Sequence, residues 1–401
     1  MNRAMIKEIF NRGEGILSMV PNWVPRPFNR PGKRLRLHPD DYYAMGLKRG
    51  AISERWFSSI TKVETENSGE FEGMSFVNTD GTPDHKILFK DVIGALGDEL
   101  IGAELMDRYG TWPMYSKFYD FNEPLFHHIH HKEEACKKVG VLPKHEHYFF
   151  PSQYNNHLGI RPITYFGFDP SVSREEVKAR LAKFESADGR ILELSRAFRV
   201  ELGTGWYTPA GVVHAPGSLC TYEPQWNSDV MAMWENIVEG EIFDYKSLSG
   251  YMPVGSERDL DAIMDAADWE LNTLPNYREE FFRPPLAETA GDGYKQDWIC
   301  YGNEYVAAKE LTVEPGARVL IRDESAYGCV AVQGRGEFGS FVCESPTLIR
   351  YGQLTADEFF VSKSRANMGV TVKNTSPVEP LVILKHFGPD CGIPQRKPLH
   401  K

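Results

Sequence analysis

The chain has 401 residues, 41% hydrophobic and 25% charged, an ordinary globular composition that excludes a disordered, collagen-like or bilayer-embedded protein. Its 45 Lys and Arg against 56 Asp and Glu leave a net charge of −11, which argues against nucleic acid or a membrane surface as partner. Lys7, Glu8, Arg12 and Glu14 interrupt the N-terminal apolar residues, so no signal peptide is read and cytoplasmic residence is expected.

The first 50 residues read as irregular, with Pro21, Pro25, Pro27 and Pro31 closely spaced. The basic run Lys33-Arg34-Leu35-Arg36 reads as a solvated face. From 87 to 109, Val92, Ile93, Leu96, Leu100, Ile101 and Leu105 recur at helical spacing and predict one or two helices. After Trp112 the pattern turns to short strands at 114–119, 125–130, 147–150 and 163–168. Residues 171–184 read as a helix, with Ser173 and Glu176 forming a capping box. Strands resume over 197–242, and 255–285 reads as helical until Arg283-Pro284-Pro285. From Trp298 onward, short β runs alternate with Gly and Pro turns, the pattern of a sandwich or barrel. The fold class is therefore mainly β. An N-terminal β-domain with helical additions spans 1–254, a helical linker 255–294 and a second β-domain 295–401. Cys136, Cys220, Cys300, Cys329, Cys343 and Cys391 form no Cys-x-x-Cys pair and read as reduced thiols.

The chemistry concentrates in His127-His128-Ile129-His130-His131. On a strand, His128 and His130 project from one face, and two imidazoles there can share a divalent cation. A third ligand is available in Lys144-His145-Glu146, and a fourth in His214, after the Pro209-Ala210-Gly211 turn. Glu146 is favoured as the acidic ligand because it leads into an aromatic strand; Glu134 is the alternative. Three His and one Glu give a nitrogen–oxygen site suited to zinc, manganese, iron or nickel. Lone histidines are more often ordinary core or surface residues, and His157 and His400 are read so. The second β-domain has no His between Trp298 and Lys385 and is expected to lack a metal.

His-x-His followed downstream by Pro-x-Gly-x-x-His resembles the two motifs of the cupins. The run from Trp112 to Glu133 further resembles type I phosphomannose isomerases, bicupin proteins of that superfamily. Lys144-His145-Glu146 is similar to that family's Lys-Pro-Glu, Pro209–His214 to its fourth-ligand segment, and Glu223 to Asp229 to the motif that follows. Ile52-Ser53-Glu54-Arg55-Trp56 is similar to an upstream family segment. His128 stands where the family usually has Gln, and Met233 where it has an Arg near the substrate. The resemblance implies two cupin barrels, zinc held by His128, His130, Glu146 and His214, and aldose–ketose isomerisation through a cis-enediol.

In that reaction Glu223 is the expected base and Lys144 the group that stabilises developing oxygen charge. Trp56, Lys117 and Asp229 are the expected substrate contacts; Trp206 and Trp226 are weaker candidates for a sugar wall. The expected partner is a sugar or sugar phosphate, with a homodimer as the expected assembly. Two other classes compete: a cupin dioxygenase or decarboxylase with iron or manganese in a three-His, one-Glu site, and a non-catalytic sugar-binding protein.

Overall fold

A computed structural model describes residues 3–159 and 161–396; His400 lies outside the described residues. Its architecture is mainly β, as the short alternating runs predict. A seven-stranded sheet runs Phe282–Arg283, Gly205–Thr208, Glu146–Phe149, Thr221–Trp226, Met114–Tyr119, Ala51–Phe57 and Asn22–Arg26. A five-stranded sheet runs Ser195–Arg199, Ile163–Phe168, Val213–Pro216, His128–Ile129 and Ala232–Met233. Tyr148 and Trp206 of the larger sheet share an apolar cluster with Phe166 of the smaller, so the two sheets face one another.

The C-terminal half repeats this arrangement. Leu311, Tyr327 and Ile383 of a nine-stranded sheet pack on Val319, Phe338 and Val372 of a four-stranded sheet. The two halves meet back to back, with Phe57, Met114 and Phe118 sharing a core with Val330, Phe360 and Leu384. This explains why all six residues of Met114–Tyr119 are buried. Side chains alternate between faces, so Tyr115, Lys117 and Tyr119 point into the first half and Met114, Ser116 and Phe118 toward the second.

The N-terminus departs from the irregular reading. Arg3–Arg12 is a helix, and Ile16–Val20 pairs with Glu358–Val361 in the nine-stranded sheet. Asn22–Arg26 is an edge strand with a register shift between Val24 and Pro25. A proline is tolerated at such an edge because it has no ladder hydrogen bond to donate, which is why closely spaced prolines hide this strand. Arg34 also departs from the solvated reading: it is buried, and donates to Asp120 at 2.7 Å and to three backbone carbonyls.

Ser173 caps the helix Arg174–Leu181 by accepting from the Glu176 amide. The helices Leu260–Asp265 and Trp269–Asn272 cover the outer face of the five-stranded sheet, where Ile263, Met264 and Ala267 pack on Ile129, Phe168 and Val213, whereas Tyr277–Phe281 packs on Phe166 and Trp206 in the cluster between the sheets. A strand already begins at Leu286, within the segment read as linker. The six cysteines are buried and free. No helix of the described residues is long and apolar enough to cross a membrane.

Candidate active site

The predicted site residues converge between the two facing sheets of the first half. His128 and His214 are directly paired across neighbouring strands. Alternation returns His130 to the His128 face and turns His127 away, where it bonds Glu235 at 2.8 Å. His214 is held in place from behind: Asn272 accepts from the Val213 amide at 2.8 Å and donates to the Gly211 carbonyl at 2.7 Å.

The three imidazoles are buried, and their ligand atoms lie within 4.8 Å of one another. Each Nδ1 faces a backbone carbonyl: His128 that of Phe126 at 3.0 Å, His130 that of Val230 at 2.7 Å, His214 that of Val212 at 2.9 Å. Nδ1 must carry the proton to make these bonds, which leaves the three Nε2 atoms as lone-pair donors; that of His130 also accepts from Lys144 Nζ at 3.1 Å. Glu146 enters from the opposite sheet, 3.0 Å from His130 Nε2 and 3.0 Å from His214 Nε2. His214 Nε2 and Glu146 Oε1 are buried without a hydrogen-bond partner. A three-nitrogen, one-carboxylate donor set with orphaned inward atoms fits a divalent cation. Glu134 is not part of it; it is exposed on the helix Glu133–Val139.

Beside the histidines, Lys144 Nζ lies 2.6 Å from Glu146 and 3.2 Å from Glu223. Lys117 Nζ reaches Glu223 at 3.1 Å, as their direct cross-strand register dictates. Burial by itself lowers a lysine, yet the Lys144 ammonium is raised because Glu146 and Glu223 outweigh that cost. Burial and the charge of Glu146 push Glu223 up to about 7 against both lysines. Glu146 goes the other way: burial would raise it, but the Lys144 ammonium holds it well below the usual carboxylate range. Burial pulls His130 down to about 3 and His128 well below the usual imidazole value, so both rings are neutral. Two neighbouring carboxyls with opposed shifts suit different roles, one as a permanent anion and one as a proton carrier.

A pocket opens over this group, lined on its charged side by Arg26, Glu54, Lys117, Lys144, Glu223 and Asp229. Asp229 and Lys117 therefore stand where a substrate would contact them. Trp56 does not: it is fully buried behind the pocket, stacked on Tyr115 and donating to Glu54 at 2.7 Å. Trp206 and Trp226 are likewise core residues. Met233 pairs directly with His128, and Met231 lines the pocket.

Sequence reasoning missed Arg26, Glu54, Tyr119 and Tyr148, which also line the pocket. Glu54 was accessible to a period-two argument, since Glu54 and Trp56 must share a face opposite Arg55. Arg26 carried no such signal, because its strand was hidden by prolines.

No protein-family model and no curated relative matches this sequence. Solved structures do match its fold. The mannose 6-phosphate isomerase from Bacillus subtilis superposes with a TM-score of 0.61 at 15% identity, over 93% of this chain and 99% of that one. A variant of the phosphomannose isomerase from Salmonella typhimurium gives 0.63 at 11% identity, with 93% and 99% covered. A mannose 6-phosphate isomerase bound with zinc and yttrium gives 0.60 at 11% identity, again over 93% and 99%. The chain thus has the fold of the mannose-6-phosphate isomerases across nearly its whole length, as the sequence motifs imply.

Proposed function

We infer that this protein is a metal-dependent aldose–ketose isomerase. One observation carries the reading: three buried imidazoles cluster with Glu146 against two of them, directly beside a second carboxyl, Glu223, clamped by two lysines. The shared fold supports it. His128, His130, His214 and Glu146 would hold zinc, which has no redox chemistry and would supply Lewis-acid polarisation of substrate oxygen.

The chain's own groups supply the rest. Glu223 takes the C2 proton of the open-chain aldose and returns it to C1, while the O2 hydroxyl loses its proton and O1 gains one, so atoms balance through a cis-enediol. Its elevated pKa suits a group that must both accept and release a proton near neutrality. Lys144 donates toward the oxygen that becomes negative, at low cost because its ammonium is already in place. Lys117 fixes the Glu223 carboxylate. Burial, and after it Glu223 for Tyr119 and Glu146 for Tyr148, keep both phenols un-ionised, so they can donate to sugar hydroxyls.

The three-His, one-Glu donor set also supports a second reading, an oxygen-dependent or decarboxylating cupin with iron or manganese. Proton NMR of zinc-loaded protein with aldoses in D2O separates the two, with an EDTA-treated sample as control. Metal-dependent deuterium incorporation at C2, with ketose accumulating, is the expected result. Protein that holds stoichiometric metal and exchanges no sugar would overturn the isomerase reading in favour of redox chemistry or simple sugar binding.

A further inference from the structure

We propose that the substrate of this site is an uncharged sugar rather than a sugar phosphate; the proposal rests on the isomerase reading above. The argument is one of unsatisfied charge. A phosphate monoester carries roughly −1.5 to −2 at pH 7 and is bound where Arg, Lys or helix N-terminal N–H groups have donors to spare.

This pocket has no such cation among the described residues. Three basic side chains line it, and each is already engaged by carboxylates. Arg26 is buried with its Nε and one Nη on the two oxygens of Glu54, at 2.8 and 3.1 Å, and it lies 3.8 Å from Asp229. Lys117 is spent on Glu223, and Lys144 on Glu146 and Glu223. Against these three cations stand four carboxyls, Glu54, Glu146, Glu223 and Asp229. None of the lining residues opens a helix, so no helix N-terminus points in. Pairing Arg26 with phosphate would strip its charge from Glu54 and leave that carboxylate buried and alone, which is costly.

The route out of the pocket makes the same point. The reacting carbons of an open-chain sugar must lie at the floor, against Glu223 and the histidines, so the terminal carbon extends toward the opening. A second depression shares Arg26 and Phe28 with the pocket and so adjoins it. Its other charges are Arg30 against Glu123, Glu239 and Glu241. Arg30 lies 3.8 Å from Glu123, and Glu239 lies 3.0 Å from Arg161. A terminal phosphate reaching this depression would meet three carboxylates against the exposed Arg30 and the partly exposed Arg161. A divalent cation would be held by His128, His130, His214 and Glu146, so its charge would serve the reacting end of the sugar.

What the pocket does offer suits hydroxyls and C–H surfaces. Asp229 and Glu54 can accept hydroxyl hydrogens, Tyr119 and Tyr148 can donate, and Phe28 and Phe121 add apolar lining.

The test compares D-mannose, D-lyxose and D-glucose with mannose 6-phosphate and glucose 6-phosphate as substrates of the zinc-loaded full chain. Readouts are deuterium incorporation at C2 and kcat/KM. We expect turnover of at least one free sugar, with kcat/KM about 100-fold or more above that of its 6-phosphate. Equal or better turnover of a phosphate ester overturns this inference and leaves the isomerase reading standing. Exchange with none of the five overturns both. A second arm uses the double variant Glu239→Lys, Glu241→Lys. It should shift the ratio of ester to free-sugar kcat/KM about tenfold toward the ester, with the gain falling as salt rises. An unmoved ratio overturns the role assigned to the second depression.

Discussion

At Glu146 and the three histidines, the decisive detail is where the protons are. Backbone carbonyls take the Nδ1 hydrogens of His128, His130 and His214, so the rings present lone pairs before any cation arrives. Removing one ring should therefore cost the metal rather than the fold. We expect His214→Ala to lose stoichiometric zinc by elemental analysis while keeping its far-ultraviolet circular dichroism; full zinc occupancy in that variant would refute the ligand set. Glu223 has a separable role. Glu223→Gln keeps the shape and the contact with Lys117 but cannot carry a proton, so kcat should fall about 100- to 10,000-fold with zinc content unchanged. Loss of zinc together with activity would instead place Glu223 among the ligands.

Among the elements, strand alternation does most of the work. Lys117, Glu223 and Glu146 come from three neighbouring strands of one sheet, and their registers place them on a single face. The opposing sheet contributes the histidines, and the turn before His214 sets how far its strand advances. Gly211 in that turn has φ +94°, and its amide donates to the His130 carbonyl at 2.6 Å. A Cβ there would meet Asp268 at 3.0 Å and Lys132 at 3.1 Å. We expect Gly211→Ala to cost about 1–3 kcal/mol in urea denaturation, because an L side chain resists that backbone region. It should weaken zinc binding as well, since it moves two ligand strands at once. A variant as stable and as zinc-replete as the parent would show that the turn is not what aligns them.

On the scale of the whole molecule, the second half supports the first through a buried ionic contact. Arg55, on the face of its strand opposite Glu54, donates to both oxygens of Asp357 at 2.8 Å and to Glu358 at 3.1 Å. Burial pushes the Glu358 carboxyl up to about 8; Arg55 pulls against this and Asp357 adds to it. The folded chain thus holds a proton at Glu358 that the unfolded chain releases near its ordinary value of about 4.3. Stability from this group is complete below that value and is lost as pH rises toward 8. Glu358→Gln should match the parent at pH 5 and exceed it at pH 8 by an amount of order 1–3 kcal/mol, measured by urea denaturation. Parallel pH profiles for the two proteins would show that Glu358 is ionised in the folded state.

The sequence by itself determined the mainly β class, the capped helix at Ser173 and the identity of the metal-ligand candidates. Each rests on local spacing: period two along a strand, three residues in a capping box, His-x-His on one face. It also carried Lys144 and Glu223, though only as candidates. Tertiary structure alone placed Glu146 beside His130 and His214 and left Glu134 on the surface, because that distance depends on two sheets facing each other. It removed Trp56 from the pocket and brought Arg26 and Glu54 into it. It placed a strand from the first 20 residues in the sheet of the C-terminal half. Those outcomes depend on contacts between residues distant in the chain, and hydrophobic periodicity records which face of an element is buried, not what lies against it.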